Sequence, residues 1–236
     1  MRIKINFKKT TESIPVRRFN YLNKEINGFV NMLLGNNNEY HGKFSRYSVS
    51  PMLGYVFNRA DKTIEFPSGA YINISTDDDV FMNRIVAGLL KIKSEVKVGH
   101  LYLNRDNMFN VSDFQIGRYF DIIRTTGPVI VKDGSEAVTF KSDEERFLKI
   151  LRNKSVKKLV HNGIDEETAE TLKFQLFHPE NAREEVWEIG KQKNIVSRVM
   201  LVVKGNKTVR EKLYNLGLGV STGFGFGSVD IIRKQL

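Results

Sequence analysis

A glycine-rich stretch near the end of the chain constrains the fold most strongly. Residues 217–227 read Gly-Leu-Gly-Val-Ser-Thr-Gly-Phe-Gly-Phe-Gly, with five glycines in the pattern Gly-apolar-Gly, five residues, Gly-apolar-Gly. An amphipathic pattern at residues 209–216 predicts a helix before it, and residues 228–232 predict a strand after it. Because glycine reaches positive φ freely and lacks a Cβ, its backbone N–H groups can approach a phosphate or a base. The sequence therefore predicts a glycine-rich loop between a helix and a strand; a helix C-cap followed by a turn is the simpler alternative.

The order of elements around this loop argues against a nucleotide cofactor. The glycines of dinucleotide-binding motifs and P-loops lie between a strand and the helix that follows it, and a P-loop continues with Lys-Ser/Thr. Here the helix comes first, the strand comes last, and no lysine follows the glycines. We therefore expect no cofactor.

The chain carries a strong positive charge. Its 236 residues include 37 Lys and Arg against 27 Asp and Glu, a formal net charge of +10. With 41% hydrophobic and 27% charged residues, it can bury a core and does not resemble a disordered polymer. Such a charge attracts a polyanion, for which nucleic acid is the leading class and an acidic membrane surface the second.

The content of cysteine, histidine and apolar residues excludes several kinds of site. The sequence has no cysteine, which excludes disulfides and thiolate metal sites and is compatible with a cytoplasmic location. Its four histidines show no i,i+4 pairing, so we expect no histidine-based metal site. No stretch approaches the ~20 apolar residues of a membrane span, and the chain begins directly with a strand pattern. We therefore expect neither a membrane partner nor a signal peptide.

The first half of the chain alternates between strand and helix patterns. In residues 2–9, Ile3, Ile5 and Phe7 alternate with polar residues, which predicts a half-exposed strand. Apolar residues at helical spacing predict a helix over residues 19–34, ended by Gly-Asn-Asn-Asn. Further patterns predict strands within residues 47–57, 64–75 and 101–115, and a helix over 77–91 whose leading aspartates supply the cap. This β-α-β-β-α-β order is that of a ferredoxin-like unit.

The same order of elements recurs in the second half. Strand patterns lie at residues 118–126, 129–132, 171–177 and 195–203, helix patterns at 144–159 and 208–216, and the glycine-rich loop and last strand follow. A polar segment with Trp187 links the two middle strands. We predict an α+β protein of two tandem ferredoxin-like units with antiparallel sheets, one over residues 1–117 and one over residues 118–236.

Two tandem ferredoxin-like units closed by Gly-apolar-Gly-x5-Gly-apolar-Gly resemble the CRISPR-associated repeat-RNA endoribonucleases, members of the repeat-associated RNA-binding superfamily. His41 strengthens the resemblance, since it follows the first helix and precedes a Phe/Tyr-rich segment. The family commonly carries a catalytic histidine in that region. The loop alone fits several members of the superfamily, whereas the loop together with His41 favours the nuclease.

The resemblance implies RNA cleavage without a metal, by attack of a 2′-hydroxyl on the neighbouring phosphate. Because RNA carries its own nucleophile, the protein must supply a proton acceptor, a proton donor and a cation for the phosphorane. Histidine exchanges protons near neutral pH, which makes His41 the first catalytic candidate. Lys43 could stabilise the phosphorane, and Tyr21 or Tyr40 could act as the partner acid or orienting group. The sequence does not choose between the tyrosines.

The resemblance also implies RNA-binding residues in the loop and on a basic track. The loop candidates are Gly217, Gly219, Ser221, Thr222, Gly223, Phe224, Gly225, Phe226 and Gly227. The two phenylalanines either stack on splayed bases or anchor the loop to the core. The basic candidates are Arg46, Lys154, Lys157, Lys158, Lys191, Lys193 and Arg198. If these side chains contact phosphates, affinity falls steeply with salt.

Two functions from different classes remain open at this point. One is a metal-independent endoribonuclease that cuts precursor CRISPR RNA within its repeats, leaving a 2′,3′-cyclic (or 3′) phosphate and a 5′-hydroxyl. The other is a non-catalytic CRISPR RNA-binding subunit of an effector complex. The presence of His41 favours the first, since some relatives lack the histidine and only bind. The expected partner is CRISPR repeat RNA, with an effector complex or a second copy of the chain left open.

Overall fold

The structure is a computed structural model that describes residues 1–15, 22–35, 39–40, 46–189 and 192–232. Four predicted site residues lie outside these ranges: Tyr21, His41, Lys43 and Lys191.

The first half of the chain contains nine strands and two helices within the described residues. In chain order they are β1 (Arg2–Phe7), β2 (Thr10–Pro15), α1 (Leu22–Leu34), β3 (Tyr47–Val49), β4 (Val56–Asn58), β5 (Thr63–Phe66), β6 (Ala70–Thr76), α2 (Asp79–Leu90), β7 (Lys97–Val98), β8 (Leu101–Tyr102) and β9 (Phe109–Ser112). The helix α2 begins where Asp78 accepts a hydrogen bond from the backbone N–H of Phe81, which confirms the predicted cap.

The second half, as far as the structure describes it, contains eight strands, three α-helices and two short 3₁₀ turns. They are β10 (Phe120–Thr125), β11 (Lys132–Asp133), β12 (Glu136–Ala137), α3 (Glu144–His161), α4 (Glu166–Glu170), β13 (Lys173–Leu176), a turn (Pro179–Asn181), β14 (Arg183–Ile189), β15 (Gln192–Arg198), β16 (Met200–Lys204), α5 (Lys207–Leu216), a turn (Thr222–Phe224) and β17 (Val229–Ile231). Among the described helices, none is long and apolar enough to cross a membrane.

Two four-stranded sheets share one strand order, which confirms the predicted α+β fold. The first sheet runs β3-β6-β1-β9 and the second β13-β16-β10-β17, with every pairing antiparallel. In each half, the four strands taken in chain order therefore lie as second, third, first, fourth. This is the order of a ferredoxin-like unit, whose two helices cover one face of the sheet.

Each sheet buries its own set of aliphatic side chains. In the first, Ile3 pairs with Ile74 and Ile5 with Ile72, and all four are buried. The cluster of buried residues around them extends along the chain from Ile3 to Leu103, and a second cluster extends from Ile123 to Val229. The proposed boundary near residue 117 lies between these clusters in the chain.

A buried ion pair ties the start of the second unit to α5, the helix that precedes the glycine-rich loop. The guanidinium of Arg210 is fully buried, pairs with Asp121 and donates to the carbonyl oxygen of Gly117 at 2.8 Å. The hydroxyl of Tyr214 donates to the same carboxylate at 3.1 Å. Burial, together with the charge of Asp121, raises the pKa of Tyr214. This network fixes α5, and with it the position from which the loop departs.

The segment predicted to link two strands is itself part of a sheet. Residues 183–189 form β14 and pair with β15 in a two-stranded hairpin. Trp187 is buried and meets Phe226 of the glycine-rich loop edge to face, at 5.6 Å between ring centroids. The prediction of a polar linker was therefore wrong, because the hairpin buries a few side chains beneath a charged sequence.

Candidate functional site

The glycine-rich loop, residues 217–227, lies between the two ferredoxin-like units. Side-chain hydrogen bonds join its tip to the first unit. Thr222 Oγ1 donates to the carbonyl oxygen of Tyr47 in β3 at 3.0 Å, and Asn27 Nδ2 on α1 donates to the carbonyl oxygen of Gly223 at 3.2 Å. A loop that belongs to the second unit therefore holds the first helix and first edge strand of the other.

The base of the loop closes on itself. The N–H of Leu218 donates to the carbonyl oxygen of Gly227 at 2.8 Å, and the N–H of Gly227 donates to that of Pro128 at 3.0 Å. Four of the five glycines, Gly217, Gly219, Gly225 and Gly227, adopt positive φ. A Cβ at Gly227 would overlap the carbonyl oxygen of Leu218. Both the backbone conformation and the close approach therefore require glycine.

Most of the loop is buried, which changes the interpretation of two predicted RNA contacts. Phe226 is 0% exposed beneath Trp187, so the stacking hypothesis is wrong for this residue and the alternative, that it anchors the loop, holds. The hydroxyl of Thr222 is buried and donates its hydrogen bond to the carbonyl oxygen of Tyr47. Phe224 is half-buried, and Ser221 is exposed at the tip with φ of 59°. Ser221 and Phe224 thus remain the accessible candidates of this loop.

Lys158 does not lie on a basic surface track, contrary to the prediction. Its side chain is 4% exposed, and its Nζ donates to the carbonyl oxygen of Gly217 at 3.0 Å and to that of Leu216 at 3.4 Å. Burial lowers the pKa of this ammonium from its ordinary value of 10.5 to about 7. Lys158 therefore binds the last carbonyls of α5, where a helix end favours a cation.

Of the other described basic candidates, one makes structural hydrogen bonds and the rest lie at the surface. Arg198 donates to Glu185 at 2.8 Å and to the carbonyl oxygen of Thr126 at 2.9 Å, so it braces the hairpin of β14 and β15. The remaining described candidates keep surface exposure: Arg46, Lys157 and Lys193 are exposed and Lys154 is half-buried. Contact of these side chains with RNA stays a prediction.

A chain of packed aromatic rings connects Tyr40, the neighbour of His41 in sequence, with the glycine-rich loop. Tyr40 packs edge to face on Phe81 at 4.9 Å, and Phe81 stacks on Tyr47 at 4.4 Å. The carbonyl of Tyr47 accepts the hydrogen bond from Thr222. Tyr40 donates its hydroxyl to Asp78 Oδ2 at 3.1 Å, and burial followed by Asp78 raises the pKa of the phenol. This geometry fits an orienting group better than a proton donor to substrate.

The sequence interpretation missed the polar face of α1. Asn23, Asn27 and Asn31 recur at intervals of four residues and therefore share one face of the helix. In the structure Asn27 contacts the loop, Asn31 bonds to Asn27, and Asn23 lies against Gly225. The i,i+4 spacing of the three asparagines was the available signal. For metals, the described residues contain no group of three His, Cys, Asp or Glu side chains that could hold an ion.

We expect Gly227→Ala to destabilise the protein more than an alanine substitution at a glycine that also has positive φ but has free space around its Cα. Gly134 supplies the control, since its φ of 57° is similar to the 64° of Gly227 but a Cβ added there would meet nothing within 4 Å. Gly134→Ala should cost about 1 kcal/mol, and Gly227→Ala at least about 2 kcal/mol more, because the loop must separate from Leu218. Denaturant unfolding measures both, and equal losses would contradict the role of close packing.

We expect Lys158 to make the stability of the protein depend on pH. Its pKa is about 7 in the folded state and 10.5 ordinarily, so the unfolded state binds more protons between these values. Stability therefore rises with pH across this window, by up to about 1.4 kcal/mol per pH unit. Lys158→Met removes the effect. The free energy of unfolding of wild type and of Lys158→Met is measured from pH 6 to 10. If the difference between the two proteins does not change with pH, the prediction is contradicted.

Comparison with known proteins assigns the family. The family model for the C-terminal part of the CRISPR-associated protein Cas6 matches residues 114–231, half of the chain. Comparison with curated protein sequences gives no match.

Solved structures match over the full length of the chain. A CRISPR-associated protein Cas6 superposes with a TM-score of 0.75 at 19% identity, covering 99% of both chains. A RAMP protein that binds different RNA substrates gives 0.73 at 17%, covering 99% of this chain and 100% of the other. The product of a Cas6-related gene from Pyrococcus furiosus gives 0.71 at 20%, covering 100% and 99%. At these identities the likeness shows the fold. With the family match over residues 114–231, it follows that the chain belongs to the Cas6 family of CRISPR-associated proteins.

Proposed function

We propose that this protein is a metal-independent endoribonuclease that cuts precursor CRISPR RNA once within each repeat. The proposal is supported above all by the contacts that connect Tyr40 through Phe81 and Tyr47 to the glycine-rich loop. His41 is covalently joined to Tyr40, so a candidate acid-base residue is tethered to the same structure that supports the loop. Family membership and the net charge of +10 agree with an RNA substrate.

The reaction breaks one bond and forms another at the same phosphorus. The 2′-hydroxyl of the nucleotide on the 5′ side attacks the phosphate, its proton passes to a base, and the bond to the 5′-oxygen of the next nucleotide breaks. That oxygen takes up a proton and leaves as a 5′-hydroxyl, while the 2′,3′-cyclic phosphate remains. His41 serves as the proton acceptor or donor, and Lys43 offsets the negative charge of the phosphorane.

Tyr40 orients this site through Asp78. Its phenol is held by the carboxylate that also caps α2, and its ring is held against Phe81. The guanidinium of Arg84 lies 5.8 Å from the same ring centroid. Removing the hydroxyl should therefore disturb the chain next to His41 while leaving the core intact. Tyr21 remains the candidate for the partner acid.

RNA binding in this proposal uses the accessible part of the loop and lysines that are exposed or half-buried at the surface. Ser221 and Phe224 provide the accessible loop contacts, and Lys154, Lys157 and Lys193 the charge. A solved RAMP protein of similar fold binds different RNA substrates, which agrees with this assignment. CRISPR repeat RNA is the substrate that the family suggests.

We expect wild-type protein to cut a synthetic repeat RNA in the presence of EDTA, and His41→Ala to cut at least about 100-fold more slowly while still binding. The RNA should come from the CRISPR array of the source genome. His100→Ala is the matched control, because that imidazole pairs with Glu12 and lies outside the proposed site. Tyr40→Phe should lower the cleavage rate with little change in RNA affinity.

Gel analysis of the cut RNA and a binding titration separate the outcomes. A wild type that binds repeat RNA tightly and leaves it intact would contradict the nuclease and favour the non-catalytic subunit of an effector complex. Unchanged cutting by His41→Ala would instead place the chemistry on other residues.

A further inference from the structure

Two buried polar side chains beside the glycine-rich loop have no hydrogen-bond partner. Asn23 on α1 is 3% exposed, and neither its Oδ1 nor its Nδ2 is bonded. Ser48 in β3 is 1% exposed, and its Oγ is also without a partner. Among the described residues, the third such group is the hydroxyl of Thr63 in β5, in a separate sheet of β2, β5 and β4.

Such groups are uncommon, because burial removes water without replacing its hydrogen bonds. When two of them converge on one structural element, they are better explained together than as independent defects. Asn23 and Ser48 belong to different elements of the first unit, yet both lie against the same loop of the second unit.

Because two glycines of the loop lack a Cβ, these side chains pack directly against its backbone. A Cβ at Gly225 would lie 2.6 Å from Nδ2 and 3.0 Å from Oδ1 of Asn23. A Cβ at Gly217 would lie 2.8 Å from the Cβ of Ser48. We call this boundary between the loop and α1 with β3 the seam; the carboxamide of Asn23 and the Cβ of Ser48 lie against it, and the buried hydroxyl of Ser48 has no partner.

The chemistry of the carboxamide selects the ligand. Asparagine presents a donor and an acceptor side by side, and both are unused here. A phosphate offers acceptors, so it would bond Nδ2 and leave Oδ1 unpaired. A nucleobase edge that carries a donor next to an acceptor, such as that of adenine, bonds both atoms at once. Bases in single-stranded RNA are free to present such edges.

The seam can open without disrupting either core. Side-chain hydrogen bonds from Asn27 to Gly223 and from Thr222 to Tyr47 are among the contacts that hold the loop tip to the first unit. The loop base is fixed separately, within the second unit, by the bonds among Leu218, Gly227 and Pro128. Movement of the tip breaks these bonds and exposes the buried Thr222 and Gly223, while the hydrophobic cluster of each unit stays intact.

We propose that the tip of the glycine-rich loop separates from α1 to admit one unpaired base of the RNA, whose edge pairs with the carboxamide of Asn23. The hydroxyl of Ser48 bonds to the same nucleotide. The inference rests on the proposed function and adds to it a residue that determines specificity. The nuclease then recognises one base directly, in addition to the backbone contacts of its lysines.

The test compares Asn23→Leu, Asn23→Ala and Ser48→Ala with wild type on the repeat RNA and on a set of its single-nucleotide variants. Thr63→Val is the matched control, because it also removes a buried, unpaired hydroxyl but lies away from the seam. Affinity, cleavage rate and melting temperature are measured for each protein. Asn23→Ala guards against a clash of the leucine side chain with Gly225.

We expect wild type to prefer one base at one unpaired position by about tenfold, and both Asn23 variants to lose this preference. Ser48→Ala should weaken binding of the same RNA, and Thr63→Val should behave as wild type. The melting temperature of Asn23→Leu should equal or exceed that of wild type, because an unpaired buried group has been removed.

Two results would overturn the inference, and only the second would also overturn the proposed function. If wild type cuts the repeat and the Asn23 variants keep its base preference, Asn23 does not read a base and the nuclease assignment stands. If wild type neither binds nor cuts the repeat, both the inference and the proposed function fail.

Discussion

The hydrogen bond between the N–H of Leu218 and the carbonyl oxygen of Gly227 closes the loop on which the arrangement of the two units depends. The two chain segments that this hydrogen bond joins lie so close together that a Cβ at residue 227 would overlap Leu218. Closure places Leu218 in the second core and Phe226 beneath Trp187. It also directs the tip toward α1 and β3, where Thr222 and Gly223 meet the first unit.

The glycines therefore serve structure first, and this changes how the loop can take part in RNA binding. Glycine-rich loops bind anions when their N–H groups are free. Here much of the backbone is buried and shaped by neighbouring groups, including the Lys158 ammonium at the carbonyl of Gly217. The exposed tip at Ser221 is the part that remains accessible to a nucleic acid, whereas the seam at Asn23 is closed and, in our proposal, admits a base only after the tip moves.

The order of strands and helices was predictable because each pattern has a definite period. Alternation at Ile3, Ile5 and Phe7 indicated the first strand, and the same physical rule applies to the central strand of the second sheet. The spacing of the glycines likewise predicted a loop between α5 and the last strand. These features depend on local sequence, which carries enough information to place them.

Side chains whose environment depends on distant parts of the chain were harder to predict. Lys158 shares a helix face with Phe147, Leu151 and Ser155, a spacing that indicates burial, but its charge favoured the surface interpretation. Phe226 could equally have stacked on RNA, because the indole that covers it lies on β14, far away in sequence. The environment of Tyr40 was equally hard to predict, because its hydrogen-bond partner Asp78 lies at the start of α2, far away in sequence.

In the proposed reaction, the RNA supplies its own nucleophile. The most direct measurement places a single 2′-deoxyribose at the nucleotide 5′ of the cut, in an otherwise unchanged repeat RNA, and follows cleavage by wild type in EDTA. We expect binding to be retained and cleavage at that position to be abolished. Cleavage of the deoxy-substituted RNA at the same position would contradict it, because the attacking group would then have to come from elsewhere.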